Sequence, residues 1–408
     1  MKPYRPSPRH IPELNGLRVL LVFIVSWYHI WQQSWWTPHI GSYSLDFLVR
    51  SGYVPVDGTI LLSGFLLFLP HARSMLLGEP VPDIREFYRK RIMRIVPSYV
   101  FVTLLMLFAV AIPFGLYSTP AAMWKDLLMH LTFTQTFDFA TYIATPIGVA
   151  SWTVAIEMQA YLVFPLLAKW ARKSPSATFS LMAAAALIFR SVMVAKLSDY
   201  NMVVNQLISF LDVYAIGMAA SLIYVKLTTL YPDDNRRFGW QLAATLITVV
   251  AFSTLVTLLK AQAGASGQSA IQGGQMNRRL YFGLVLAALT VALPFTLRPI
   301  RFLFGNRVMG FLAMISMNYY LMHQNIAVHL KRIQFPPAEH YPNPNMLAGG
   351  PETPWKYQYT ALCFGLSILT AIAITFLIEK PGAWALRKGF QRLNEKQDAW
   401  MEKRKHAE

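Results

Sequence analysis

The chain has a single cysteine, Cys363, and little charge for its size: 14% of its 408 residues are charged, with 20 acidic residues against 37 Lys and Arg. One cysteine excludes an internal disulfide and any cysteine-based metal cluster, and no metal is expected. Soluble domains carry about 25% charged residues. The shortage here, with 55% hydrophobic residues and a mean hydropathy of +0.37, excludes an ordinary soluble protein and points to a polytopic membrane protein. The net charge of +17 would suit nucleic acid. However, the basic residues are separated by apolar runs of spanning length, and no zinc, helix-turn-helix or RNA-binding signature occurs, so nucleic acid is not expected as a partner. The basic residues are better read as a topology signal. The chain also lacks an internal repeat, which counts against an inverted-repeat transporter. No small-residue cleavage site follows the first apolar run, so that run is expected to be retained as a membrane span.

What the sequence does contain is a series of apolar runs. Ten spans are predicted, at about 15–36, 54–70, 95–116, 151–169, 177–196, 203–225, 240–259, 281–297, 308–330 and 357–379. The expected fold is an all-α bundle of about ten transmembrane helices. Alternating sides from a cytoplasmic N-terminus leaves most Lys and Arg cytoplasmic, and an even number of spans returns the C-terminus to the cytoplasm. Residues 1–380 then form the transmembrane domain, and 381–408 a basic, partly amphipathic tail lying on anionic lipid. A cytoplasmic loop is expected at 71–94. Two external loops are expected: 117–150 as a re-entrant or lid segment, and proline-rich 331–356 as a cap. The Gly, Ser and Gln content of 261–279 predicts a mobile tether.

The first run, NGLRVLLVFIVSWYHIWQQSWW, holds Arg18 and His29 eleven residues apart. That is almost three helical turns, so both share one face about 16 Å apart along the axis. With Arg18 at one membrane surface, His29 falls near the midplane, where titratable groups are costly. The same spacing is consistent with an interfacial anchor and a packed histidine. Among the other spans, Asp57 stands near the outer end of the second, and Ser63 and Gly64 in its middle suit either a helix crossing or a substrate groove. Counting from Ser151, Glu157 is expected roughly 10 Å below the external surface, paired with His29 or an arginine. His323 is expected toward the outer leaflet, Arg190 and Asp212 as a structural pair, and Glu379 level with Arg18 and Arg94. Arginines at the cytoplasmic mouth suit a polyphosphorylated donor, and a midplane histidine suits a general base for a hydroxyl acceptor. A transporter or flippase for a polar lipid-linked or acyl substrate is the alternative.

The motifs NGLRVLLVFIVSWYH, VPVDGTILLSGFLLF, FYRKRIMRIVP, SWTVAIEMQAYLVFPLL, ISMNYYLMH and IEKP occur in the order seen in acyltransferase family 3. The chain resembles that family of membrane O-acyltransferases over nearly its whole length. Arg18 and His29 match its arginine–histidine signature, Arg91 and Arg94 its arginine pair, and Trp152, Thr153 and Glu157 its Trp-Ser/Thr-x-x-x-Glu motif. The resemblance implies transfer of an acyl group, usually acetyl, from cytosolic acyl-CoA to a hydroxyl of an envelope carbohydrate or lipid-linked sugar, in a bacterial inner (plasma) membrane. His29 would be the catalytic residue, with Asp57 and Glu157 supporting it. Arg18, Arg91 and Arg94 would bind the donor's phosphates, and Ser63, Trp152 and His323 are candidate substrate contacts. Two departures concern the pocket lining: Asn15 stands where Asp is common, and the Asp57 segment lacks the paired Phe that often follows. With no hydrolase-like domain after the last span, a stand-alone membrane form is expected.

Overall fold

The computed structural model describes residues 10–231, 238–337 and 354–405. The helices are α1 (Glu13–Ser34), α2 (Asp46–Arg50), α3 (Pro55–Leu77), α4 (Ile84–Met106, continued by a π-turn at Leu107–Ala111), α5 (Pro120–Leu131) and α6 (Phe139–Tyr142). They continue as α7 (Trp152–Lys173), α8 (Pro175–Lys196), α9 (Leu211–Leu230), α10 (Phe238–Ala263), α11 (Gln268–Ala292), α12 (Arg298–Gly305), α13 (Arg307–Arg332), α14 (Pro354–Ile374) and α15 (Lys380–Lys405). The one strand pairing among the described residues is a short antiparallel ribbon, His39–Ile40 against Tyr43–Ser44.

Local chemistry sets several boundaries. Pro55 opens α3 and Gly78, at φ 71°, closes it in the left-handed conformation that glycine adopts without strain. Asp83 caps α4 by accepting from the backbone N–H of Arg85 and Glu86, and Asn306 caps α13 by accepting from Met309 N–H. The cytoplasmic loop expected at 71–94 is therefore shorter, and Arg89, Arg91 and Arg94 ride on the first turns of α4. The tether expected at 261–279 is a correction too. Only Gly264–Gly267 turns the chain, and 268–279 is the start of α11, with Gln275, Met276 and Arg279 buried. The expected cap at 331–356 falls mostly on 338–353, outside the described residues.

Nine helices among the described residues are long and apolar enough to cross a membrane. Leu181, Ile188, Leu246 and Val250 are each more than half exposed, an apolar surface suited to lipid. The fourth predicted span, at 151–169, is α7, a 22-residue helix that carries Glu157, Gln159, Lys169, Arg172 and Lys173 and does not join that set. Its start lies deep in the bundle: Ala150 and Trp152 pack with Val22, Val25, Tyr319 and Tyr320, halfway along α1 and α13. Segment 132–151 accordingly turns into the interior, with Gln135, Thr136 and Thr141 buried and Gln159 donating to the Phe133 carbonyl.

Helices α1 and α13 run parallel, because Ser26 meets Tyr319, His29 meets His323 and Lys331 donates to the Gln33 carbonyl. Helices α3 and α9 cross at Gly64 and Gly217. A Cβ at Gly64 would stand 2.5 Å from the Tyr214 carbonyl oxygen, and one at Gly217 would stand 2.2 Å from that of Leu61. Only hydrogen fits there, so Gly64 serves the helix crossing.

Candidate active site

The candidate site has two levels on α1. At the upper level, His29 Nδ1 and His323 Nε2 are 2.7 Å apart with rings stacked at 5.0 Å. His323 Nδ1 is 2.7 Å from the Tyr320 carbonyl, which can only accept, so Nδ1 carries the proton and neutral His323 offers a lone pair at Nε2. His29 Nδ1 must then donate, which leaves the lone pair of His29 on Nε2. Tyr319 stacks on His323 at 6.1 Å and is held by Ser26 at 2.6 Å. His323 is fully buried, whereas His29 keeps accessible surface inside the bundle.

At the lower level stand Arg18, Arg91, Arg94, Glu157 and Tyr161. Glu157 accepts from the Tyr161 hydroxyl at 3.2 Å, and the charges that act on it are those of Arg18, Arg94 and Arg91. It was expected roughly 10 Å below the external surface, paired with His29 or an arginine. Because α7 starts midway through the bundle, five further residues bring Glu157 to the arginines and away from the histidines. Arg91 lies over the rings of Phe87 and Tyr161 at 5.9 and 5.8 Å. No salt bridge among the described residues engages Arg18, Arg91 or Arg94. Ser63 faces the Tyr161 hydroxyl, and Arg18, Ser63 and Glu157 are only half-buried, so they line accessible space. Glu379 feels Arg94 but accepts its hydrogen bond from Asn318 at 2.7 Å.

Asp57 belongs to neither level. It is fully buried, with Arg279 Nε at 3.3 Å from Oδ1, and the Arg279 guanidinium also reaches the Val204 carbonyl at 2.8 Å and Ser209 Oγ at 2.6 Å. Arg190 and Asp212 pair beside it at 2.5 Å, as their sequence positions suggested. The position expected to support His29 is thus occupied by a structural ion pair. Sequence reasoning missed Arg279 because it sat in the supposed tether; the unpaired buried aspartate was the available signal. Tyr161 was also missed, although its place four residues after Glu157 puts both on one helical face. Trp152 stacks on Phe210 at 6.3 Å and packs beneath the histidine level. Among the described residues no group of three or more His, Cys, Asp or Glu side chains could hold a metal ion.

A bundle of spanning helices with paired histidines at one level and unpaired guanidiniums at another defines a multi-pass membrane protein with a polar interior. The chain belongs to the acyltransferase family: the family described as "Acyltransferase domain" matches residues 11–380. The O-acetyltransferase OatA of Staphylococcus aureus is 28% identical over 175 residues, 40% of this chain and 25% of that protein. Acyltransferase MdmB of Streptomyces mycarofaciens is 28% identical over 174 residues, 42% of each chain. The peptidoglycan O-acetyltransferase OatA of Listeria monocytogenes is 23% identical over 190 residues, 41% of this chain and 26% of that protein. The chain thus spans between a quarter and under half of the length of these relatives. No solved structure matches.

Proposed function

We propose that the protein is a membrane-embedded O-acyltransferase that moves an acetyl group from cytosolic acetyl-CoA to a hydroxyl of an envelope carbohydrate. The observation that carries this is an oriented imidazole on α1 about 16 Å above Arg18 of the same helix, where Arg91 and Arg94 of α4 join it and none of the three forms a salt bridge among the described residues. Arg18, Arg91 and Arg94 grip the donor's phosphates through charge-assisted, forked hydrogen bonds. The half-buried Ser63 lies along the path from those phosphates to His29, a length comparable to a pantetheine arm. His29 Nε2 accepts the acceptor hydroxyl's proton as the oxygen bonds to the thioester carbonyl carbon. The carbon–sulfur bond then breaks, and His29 returns that proton to the leaving sulfur. His323 holds Nδ1–H and so keeps the basic nitrogen pointed at the substrates.

The relatives named O-acetyltransferases support the acetyl group and, in the Listeria case, a peptidoglycan-like acceptor. The basic segments support a cytoplasmic arginine end in a bacterial inner membrane. Arg172 bonds to Ser74, Gly16 abuts Phe304 and Arg89 bonds to Asn394, which brings the basic ends of α4, α7, α12 and α15 to the level below Arg18. Incubating the purified protein with labelled acetyl-CoA and a hydroxylated glycan tests the reading: acceptor-dependent release of free CoA with label on the glycan is expected. Translocation of an unmodified glycan without label transfer would instead support a flippase.

A further inference from the structure

We infer that the acceptor is held as a neutral oligosaccharide in a cleft above His29, between the tryptophan end of α1, helix α2 and the α10–α11 turn. This rests on the acyl-transfer reading and adds to it the acceptor's site and its chemical class.

The cleft has a volume of about 530 Å³, within the range of small-molecule sites. Its back wall is aromatic. Tyr28 and Trp31 stack with centroids 6.5 Å apart, and Trp31 meets Trp35 at 4.9 Å. Trp35 has φ 54°, a left-handed conformation rare for a bulky residue, and it ends α1 with its ring on this wall. The indole N–H groups of Trp31 and Trp35 are buried behind this wall, so the rings present their faces and edges to the cleft. Opposite, the fully buried Gln262 donates to the Tyr53 hydroxyl at 2.6 Å, and on α1 itself Gln32 donates to the Tyr28 hydroxyl at 2.9 Å. Gln32 stands one turn above His29 on α1, and the Tyr28 ring centroid is 5.1 Å from that of His29. The cleft therefore begins at Tyr28, in ring contact with His29.

A pyranose ring presents an apolar C–H face bordered by hydroxyls, and this lining matches both parts. Flat rings with electron-rich faces take the polarised C–H groups. The Gln32 amide, the Tyr28 phenol and the hydroxyls of Thr37 and Ser266, all lining the cleft, take the hydroxyls. An anionic ligand fits less well, because Arg50, the guanidinium lining the cleft, already pairs with Asp46 at 3.4 Å. A hydrocarbon tail would desolvate the Gln32 amide oxygen and the hydroxyls of Thr37 and Ser266 without offering them a partner.

The test uses the buried Cys363 to advantage, since a cysteine placed at the exposed Ser266 on the cleft wall will label selectively. Full-length Ser266→Cys protein in nanodiscs, carrying an environment-sensitive dye, is titrated with a β-linked N-acetylglucosamine tetramer and with an α-linked glucose tetramer. A saturable response to at least one of them is expected, weakened about tenfold by Trp35→Ala or Trp31→Ala as for the loss of one aromatic anchor. Gln32→Ala should weaken it less, and acetyl-CoA should not compete. Trp35→Phe, which keeps a ring, serves if an alanine variant fails to fold. No response to either tetramer, unchanged affinity in the tryptophan variants, or displacement by a dodecyl chain would each overturn the cleft. The two readings fail separately. Saccharide binding without any acetyl transfer would sink the enzyme and leave the cleft, whereas transfer with an unchanged acceptor KM in Trp35→Ala would sink the cleft and leave the enzyme.

Discussion

His29 Nδ1 lies 2.7 Å from His323 Nε2, and the Tyr320 carbonyl beyond fixes the direction of the proton between them. A second imidazole replaces the carboxylate that usually orients a catalytic histidine. It positions the ring without adding a negative charge to a low-dielectric interior.

The pair predicts a graded series. His29→Ala should abolish transfer and leave acetyl-CoA affinity within about twofold, because the arginines proposed to hold the donor's phosphates stand roughly 16 Å away. His323→Ala should lower kcat by about 100-fold, the scale on which supporting partners of functional histidines act. His323→Gln, whose carbonyl can still accept from His29, should recover part of that loss. Steady-state kinetics separates these outcomes, and a fully active His29→Ala protein would remove the catalytic assignment.

At the lower level, Arg91→Ala and Arg94→Ala should each weaken acetyl-CoA binding by about tenfold at low salt. The loss should shrink as salt rises, since exposed charges are screened over roughly 8 Å at physiological ionic strength. Lysine should restore only part of the affinity, because it lacks the fork. Titration calorimetry at two salt concentrations reads both effects, and an unchanged affinity in the double variant would return these residues to anchoring the membrane.

Glu157 is the carboxylate whose field acts on those arginines together with that of Glu379 on Arg94. Glu157→Gln removes a negative charge from the proposed donor site and should tighten acetyl-CoA binding by about threefold, with acceptor KM unchanged. A change confined to acceptor KM would place Glu157 at the other substrate.

The ion pair of Asp57 and Arg279 makes a stability prediction. Arg279→Met strands a fully buried carboxylate and should cost about 3–5 kcal/mol, read as a large drop in Tm. Joining it with Asp57→Leu should recover most of the loss. If the single variant melts like the parent, the pair is not a strut.

The helices were legible in the sequence because apolar runs of about 20 residues have few alternatives. Depth was not. Periodicity gives the length of α7 but not the level of its first turn, which depends on where segment 132–151 packs, and Glu157 moved from one level to the other for that reason. Composition misled at 261–279: residues that make a tether in water here let α11 pack closely, with Gln262 bonded to Tyr53 and Arg279 to Asp57. Arg18 and His29 could be placed on one face by counting alone. That His29 would meet His323 could not, because their contact spans 294 residues and requires α1 and α13 to be parallel neighbours.

The remaining question is whether His29 passes the acetyl group directly or carries it. Attack by His29 Nε2 on the thioester would give an acylated ring still holding its Nδ1 proton. Neutralising that ring means passing the proton to His323 Nε2, and His323 already bears one on Nδ1 toward the Tyr320 carbonyl. The result is a buried imidazolium with no carboxylate bonded to it among the described residues, an arrangement that desolvation penalises heavily. In the direct route His29 is also briefly cationic, but the developing oxyanion of the attacked thioester lies beside it and offsets the charge. Direct transfer is therefore expected. Mass spectrometry of protein incubated with acetyl-CoA alone should find no acetylated His29, and transfer rates should require both substrates bound together. An acetylated His29 that forms with the donor and disappears when glycan is added would overturn the direct route and leave the acyltransferase assignment standing.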